Sequence, residues 1–179
     1  MFKQLCAAAL LVFSISSFGA DARKYALPEK GSLQLDVPAG WADEVRRPQQ
    51  VLPPTIAFHA AKGKPFEVLV TPIWRAASDA PQPTRDKIRQ DVQKAADEAK
   101  SQAVEKTIPV VELAGASGSG FYFSATDKAP KAGDYKHLTQ GMLIVSDLTV
   151  TFTILTNDGQ AQVMRDALSM LKSAMHVQP

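Results

Sequence analysis

Residues 148–156 read Leu-Thr-Val-Thr-Phe-Thr-Ile-Leu-Thr, with Thr149, Thr151 and Thr153 alternating with Val150, Phe152 and Ile154. Successive side chains of a strand point to opposite faces, so this stretch can gather its apolar residues on one side only as a β-strand. Sliding it by one residue would exchange the two faces, and the alternation therefore also fixes its register. The segment before it, residues 135–145, is joined to it by Ser146-Asp147, a connection short enough for a tight antiparallel turn. Residues 135–145 are long for one strand, and Gly141 marks a candidate bulge.

Further strands are predicted over residues 32–37, 55–60, 66–74, 108–113 and 121–125. In the first, Leu33, Leu35 and Val37 share a face, and Pro38-Ala39-Gly40-Trp41 ends it. Residues 42–54, with Arg46, Arg47, Pro48, Pro53 and Pro54, read as an irregular loop. Residues 66–74 are apolar at Phe66, Val68, Leu69, Val70 and Ile73, which predicts a central strand covered on both faces.

Two segments carry helical spacing. Thr84 can cap a helix whose stripe is Ile88, Val92, Ala95, Ala96, Ala99 and Ala103. Asn157-Asp158-Gly159 stops the last strand and is positioned to cap a second helix, with Val163, Met164, Ala167, Leu168, Leu171, Ala174 and Met175 on one side. The order strands, helix, strands, helix predicts an α+β fold, one long antiparallel β-sheet with helices packed on it.

The pattern resembles the PsbP-like fold family. The likeness lies in Leu33-Gln34-Leu35-Asp36-Val37 ending in a Pro38-Ala39-Gly40-Trp41 corner, in the middle helix, and in the closing hairpin followed by a helix. The resemblance implies an antiparallel β-sheet with helices packed on two sides, an α/β/α sandwich. It implies no activity, because a shared fold does not carry a shared site.

The chain opens with Lys3, an apolar run from Leu5 to Ile15, and small residues, the layout of a secretory signal peptide. Ala20-Asp21-Ala22 offers cleavage after Ala22, and Ala20 offers a second position. The expected organisation is a signal peptide over 1–22 and a single globular domain over 23–179, periplasmic or secreted. Cys6, the sole cysteine, lies in the leader, so the mature chain has no disulfide of its own; it precedes the apolar run, which is the wrong side for a lipid-bearing cysteine. A net charge of +2 with no basic stripe disfavours nucleic acid, and no second apolar run predicts stable membrane insertion after cleavage.

No catalytic motif emerges. The glycine-rich segment 115–120 lacks the lysine and following helix of a phosphate loop, and its order breaks the nucleophile-elbow and dinucleotide patterns. His59, His137 and His176 show no metal spacing, and Glu112, Asp127 and Asp134 fit no calcium loop, so no cofactor is expected. The remaining signal is a recognition surface on the polar connection 126–136, with Tyr122, Lys128, Lys131, Tyr135 and Lys136 as its contact residues. The reading is an exported, non-enzymatic binding or accessory domain that contacts another protein, with a protein of the cell envelope as the candidate partner. The alternatives are a small-ligand-binding protein and a hydrolase using His137, which requires a pocket holding that histidine within reach of an acid.

Overall fold

The computed structural model describes residues 19–47, 52–75 and 81–179. Most of the predicted leader, Cys6 included, lies outside these residues, as does Pro48 of the predicted loop. Ten strands and two helices follow in the order β1 (Asp21–Ala26), β2 (Ser32–Val37), β3 (Trp41–Arg46), β4 (Thr55–Ala60), β5 (Glu67–Ile73), α1 (Arg85–Ala99), β6 (Val111–Ala114), β7 (Ser119–Thr126), β8 (His137–Val145), β9 (Leu148–Thr156), α2 (Ala161–Lys172) and β10 (Met175–Val177).

Two sheets result. Seven strands run β3-β4-β5-β9-β8-β7-β6, antiparallel throughout, and three run β1-β2-β10. This overturns the expected α/β/α sandwich, one sheet with helices packed on two sides. The chain is mostly β, with only two helices among the described residues. The cause lies at its two ends: residues 21–26 and 175–177 add to β2 as strands, so a second sheet stands where a helical layer was expected.

The main core fills the space between the sheets. Leu33, Leu35 and Val37 of β2 meet Val150, Phe152 and Ile154 of β9 and Val68 and Val70 of β5, with Ala167, Met170 and Leu171 of α2 closing one side. Each large side chain buried there contributes roughly 1.5–3 kcal/mol. A second cluster on the other face of the large sheet joins Ile88, Val92 and Ala96 of α1 to Phe121, Phe123 and Ala125 of β7. The small-residue stripe of α1 thus lets the helix lie close over β7. Thr84 caps it as predicted, its Oγ1 accepting from the Lys87 amide at 3.2 Å.

Four local expectations are corrected. Residues 41–46 form strand β3 rather than loop; it is an edge strand, where charged residues such as Asp43, Glu44 and Arg46 are at home. The outer face of β5 is not covered: α1 lies over β7 and β8 instead, and Ile73 is 39% exposed. Gly141 is not a bulge, since β8 pairs in unbroken register with both neighbours. A Cβ there would sit 2.3 Å from the Phe121 carbonyl oxygen and 2.6 Å from the Phe152 ring, so glycine is needed to let Phe152 lie across the strand. Finally, α2 is preceded by Gln160, which makes no side-chain cap.

The glycine-rich connection 115–120 has a similar origin. A Cβ on Gly120 would stand 2.0 Å from the Met142 carbonyl oxygen. Close approach of β7 to β8 explains this residue without any phosphate.

Candidate functional site

Polar residues occupy the inward phase at one end of three adjacent strands. Thr126 of β7 lies opposite His137 of β8, which lies opposite Thr156 of β9. One step further in, Ser124 pairs with Thr139, their hydroxyls 2.7 Å apart. Elsewhere on this face the same phase holds Leu143, Val145, Val150 and Phe152, so the core gives way to a cleft of about 230 Å³ lined by both polar and apolar residues. The start of α2, from Gly159 to Ala161, and Glu105 complete its walls.

His137 is held at both ring nitrogens. Nε2 is 2.9 Å from Asp158 Oδ1 and Nδ1 is 3.3 Å from Thr126 Oγ1. Asp158 also accepts from Lys136 Nζ at 2.8 Å, and the bonds from Lys136 and His137 hold its carboxyl below the usual range. Glu105 Oε2 accepts the Thr126 amide at 2.8 Å. Burial acts to raise the Glu105 carboxyl, but the bonds from Thr126 prevail and keep it below its ordinary value. Both acids are therefore carboxylates at neutral pH.

Gln160 explains why the start of α2 is left open. Its Oε1 accepts the Asn157 amide at 2.7 Å, and its Nε2 donates to the carbonyls of Lys64 (3.3 Å) and Pro65 (3.0 Å). The side chain that could cap the helix is spent fastening it to the chain before β5. Among the described residues, nothing accepts from the amides of Ala161, Gln162 and Val163.

Thr156 is only 7% exposed and lines the cleft, yet its hydroxyl makes no hydrogen bond among the described residues. Among the described residues the buried side-chain polar atom without a hydrogen-bond partner is Tyr25 Oη, so the Thr156 hydroxyl opens to solvent in the cleft.

The contact residues expected from sequence divide. Tyr122 is half-buried against the main core, on the face away from α1. Lys128, Lys131, Tyr135 and Lys136 belong to the β7–β8 connection. Lys128 Nζ donates to the Ser101 carbonyl at 2.5 Å, Lys136 is tied to Asp158, and Lys131 is exposed. Tyr135 and Lys136 border a second hollow of about 250 Å³ under the C-terminal end of α1, with Gln102, Ala103 and Leu155. Burial, and then the Glu67 carboxylate, raise the Tyr135 hydroxyl above its ordinary value.

His59 stands exposed on β4, and His176 is enclosed near the C-terminus. No group of three or more His, Cys, Asp or Glu residues able to hold a metal occurs among the described residues, and no described helix is long and apolar enough to cross a membrane. Sequence reading missed Glu105, Thr126 and Thr156. The legible signal was Thr156 itself, which continues the phase of Val150, Phe152 and Ile154 with a polar group.

No family model, curated protein or solved structure matches the chain, and these comparisons identify no PsbP-like relative.

Proposed function

We propose that this chain is an exported, non-enzymatic binding domain that holds a small polar ligand in the His137 cleft. The observation that carries the reading is the convergence of Glu105, Thr126, His137 and Thr156 on one cleft, beside the apolar Ala125, Leu138 and Met164. A pocket of this kind, concave with a few convergent polar groups, is the ordinary form of a small-ligand site. Native mass spectrometry of the protein purified from the cells that secrete it tests this. A bound mass that is retained by the wild type and lost in Thr156→Val supports the cleft; a mass retained by both variants places the ligand elsewhere.

Export is supported by the leader pattern of residues 1–20. Cleavage after Ala20 is the reading that keeps β1 whole, because Asp21 and Ala22 pair with Val37 and Asp36 of β2. Cleavage after Ala22 would remove both pairs.

Two other readings compete. The hydrolase alternative is favoured by the placement of His137 between the Asp158 carboxylate and the Thr126 hydroxyl. Ester hydrolysis that disappears in His137→Ala would support it. Protein contact, for example with an envelope protein, rests on Lys131 and Tyr135 at the β7–β8 connection. Capture of one defined partner that is lost in Lys131→Glu/Tyr135→Ala would favour it over the cleft.

A further inference from the structure

Among the described residues no strand lies beyond β3, so one edge of the seven-stranded sheet is open. Its pairing with β4 fixes which backbone groups that edge presents. Just before the strand, the Ala61 amide donates to the Gly40 carbonyl at 3.2 Å. Residues that exchange such bonds alternate along an antiparallel pair, so Ala42, Glu44 and Arg46 turn their backbone groups to β4. Asp43, Val45 and Arg47 turn theirs outward. Trp41 shares the outward phase, and its carbonyl is already taken by Arg23. The open stretch therefore runs from Asp43 to Arg47.

An open edge is a template for another strand, and charge is the usual guard against it. Here the charges have an order that guards poorly against a copy. Asp43-Glu44-Val45-Arg46-Arg47 sets two acids before an apolar residue and two bases after it. Turned about a two-fold axis at Val45, the segment meets its own complement, with Glu44 opposite Arg46 and Asp43 opposite Arg47. The same rotation sets Val45 against Val45, where amide and carbonyl both face outward. A slip of one residue would bring outward groups against residues already bonded to β4. Charge order and backbone phase thus select the same register.

The side chains agree. Val45 lies opposite the buried Ile56, in the phase that faces the core, yet it is 41% exposed. Arg46 spends Nε on Glu44 and Nη1 on Glu67, which leaves its Nη2 and the Glu44 Oε2 for a second copy. The opposite edge of the sheet, β6, reads Val-Glu-Leu-Ala and offers a copy no ion pair.

We propose that two copies of this chain join β3 to β3 about a two-fold axis at Val45, making one sheet continuous across both. The contact is self-complementary, as a two-fold interface must be. Five residues from each copy are fewer than the roughly 20–30 of a standard interface, so the dimer is a reversible one.

Sedimentation equilibrium of the exported chain, over about a hundredfold range of concentration reaching millimolar, tests this. We expect the average mass to climb from monomer toward dimer. Val45→Pro removes an amide that faces the open edge, where a folded monomer tolerates proline, and should weaken the dimer at least tenfold. Glu44→Arg alone and Arg46→Glu alone each set like charges opposite one another and should weaken it about tenfold. Mixed together, these two variants should pair with each other, because every charge again meets its opposite. The mixture decides the matter even where Val45→Pro does not fold. A monomer at every concentration overturns the proposal. So does a dimer that survives Val45→Pro, or a mixture that associates no better than either charge variant alone.

Discussion

His176 of β10 faces the Asp147 carboxylate in the β8–β9 turn through Nδ1, while its Nε2 lies 2.6 Å from the Lys30 carbonyl oxygen. The imidazole side chain is 1% exposed, so a single buried ring joins the three-stranded sheet to the seven-stranded one. On the opposite side of the interface Arg23 of β1 does similar work, pairing with Asp43 and donating to the Trp41 carbonyl at 3.3 Å.

The Asp147 contact gives stability a pH dependence. Burial acts to raise this carboxyl, but the hydrogen bond from His176 outweighs it and holds the group below its ordinary value. A carboxyl lowered on folding stabilises above its unfolded pKa of about 3.9, and that contribution is lost as pH falls through the lower folded value. Asp147→Asn should therefore cost about 1 kcal/mol at pH 7, and the difference from wild type should vanish below both values. Urea unfolding at a series of pH values measures it.

Gly141→Ala should destabilise by about 3 kcal/mol, the upper part of the range for overpacking. Its new methyl group would collide with the Phe121 carbonyl and the Phe152 ring, and a backbone carbonyl in a paired strand cannot move aside cheaply. The urea midpoint checks this. Thermal unfolding at the wild-type temperature would mean that β8 shifts to make room.

The two apolar clusters lie on opposite faces of the large sheet and share no residue. Ile88→Val, in the α1 cluster, should cost about 1 kcal/mol, and Leu171→Ala, in the main core, about 3 kcal/mol. The double variant should lose their sum to within about 0.5 kcal/mol, because separated sites without common partners add. Chemical denaturation of the three variants gives the coupling directly.

The proposed cleavage after Ala20 would make Asp21 the first residue of the exported chain. Intact-mass measurement of the exported chain should return the weight of residues 21–179. A chain beginning at Arg23 should still fold, but with the first two pairs of β1 missing and with a lower melting temperature.

Strands with strict alternation were legible, because one face of β2 and β9 is more deeply buried than the other. Helix α1 was legible from Thr84 and its small-residue stripe. The second sheet was not, because β1 and β10 are short edge strands whose large apolar side chains are Tyr25 on one and Met175 and Val177 on the other. Nothing local in such segments marks a partner; β2 supplies it from a distance. The end of α2 was hidden for a related reason, since Met175 continues the helical spacing yet pairs with Gln34 as strand. At the cleft, His137 was singled out as the residue of a hydrolase, and Tyr135 and Lys136 beside it as contacts. The Thr156 hydroxyl and the Glu105 carboxylate come to it only through strand register and the Thr126 amide, which no spacing along the chain reveals.

Amide-resolved NMR titration of the mature protein with the small polar compound it retains in native mass spectrometry is the most direct test of the cleft. We expect saturable shifts at Glu105, Thr126, His137, Thr156 and Ala161, with little change at Lys131. Shifts centred on the β7–β8 connection, or none at Thr156 and Ala161, would contradict the assignment of this cleft as the binding site.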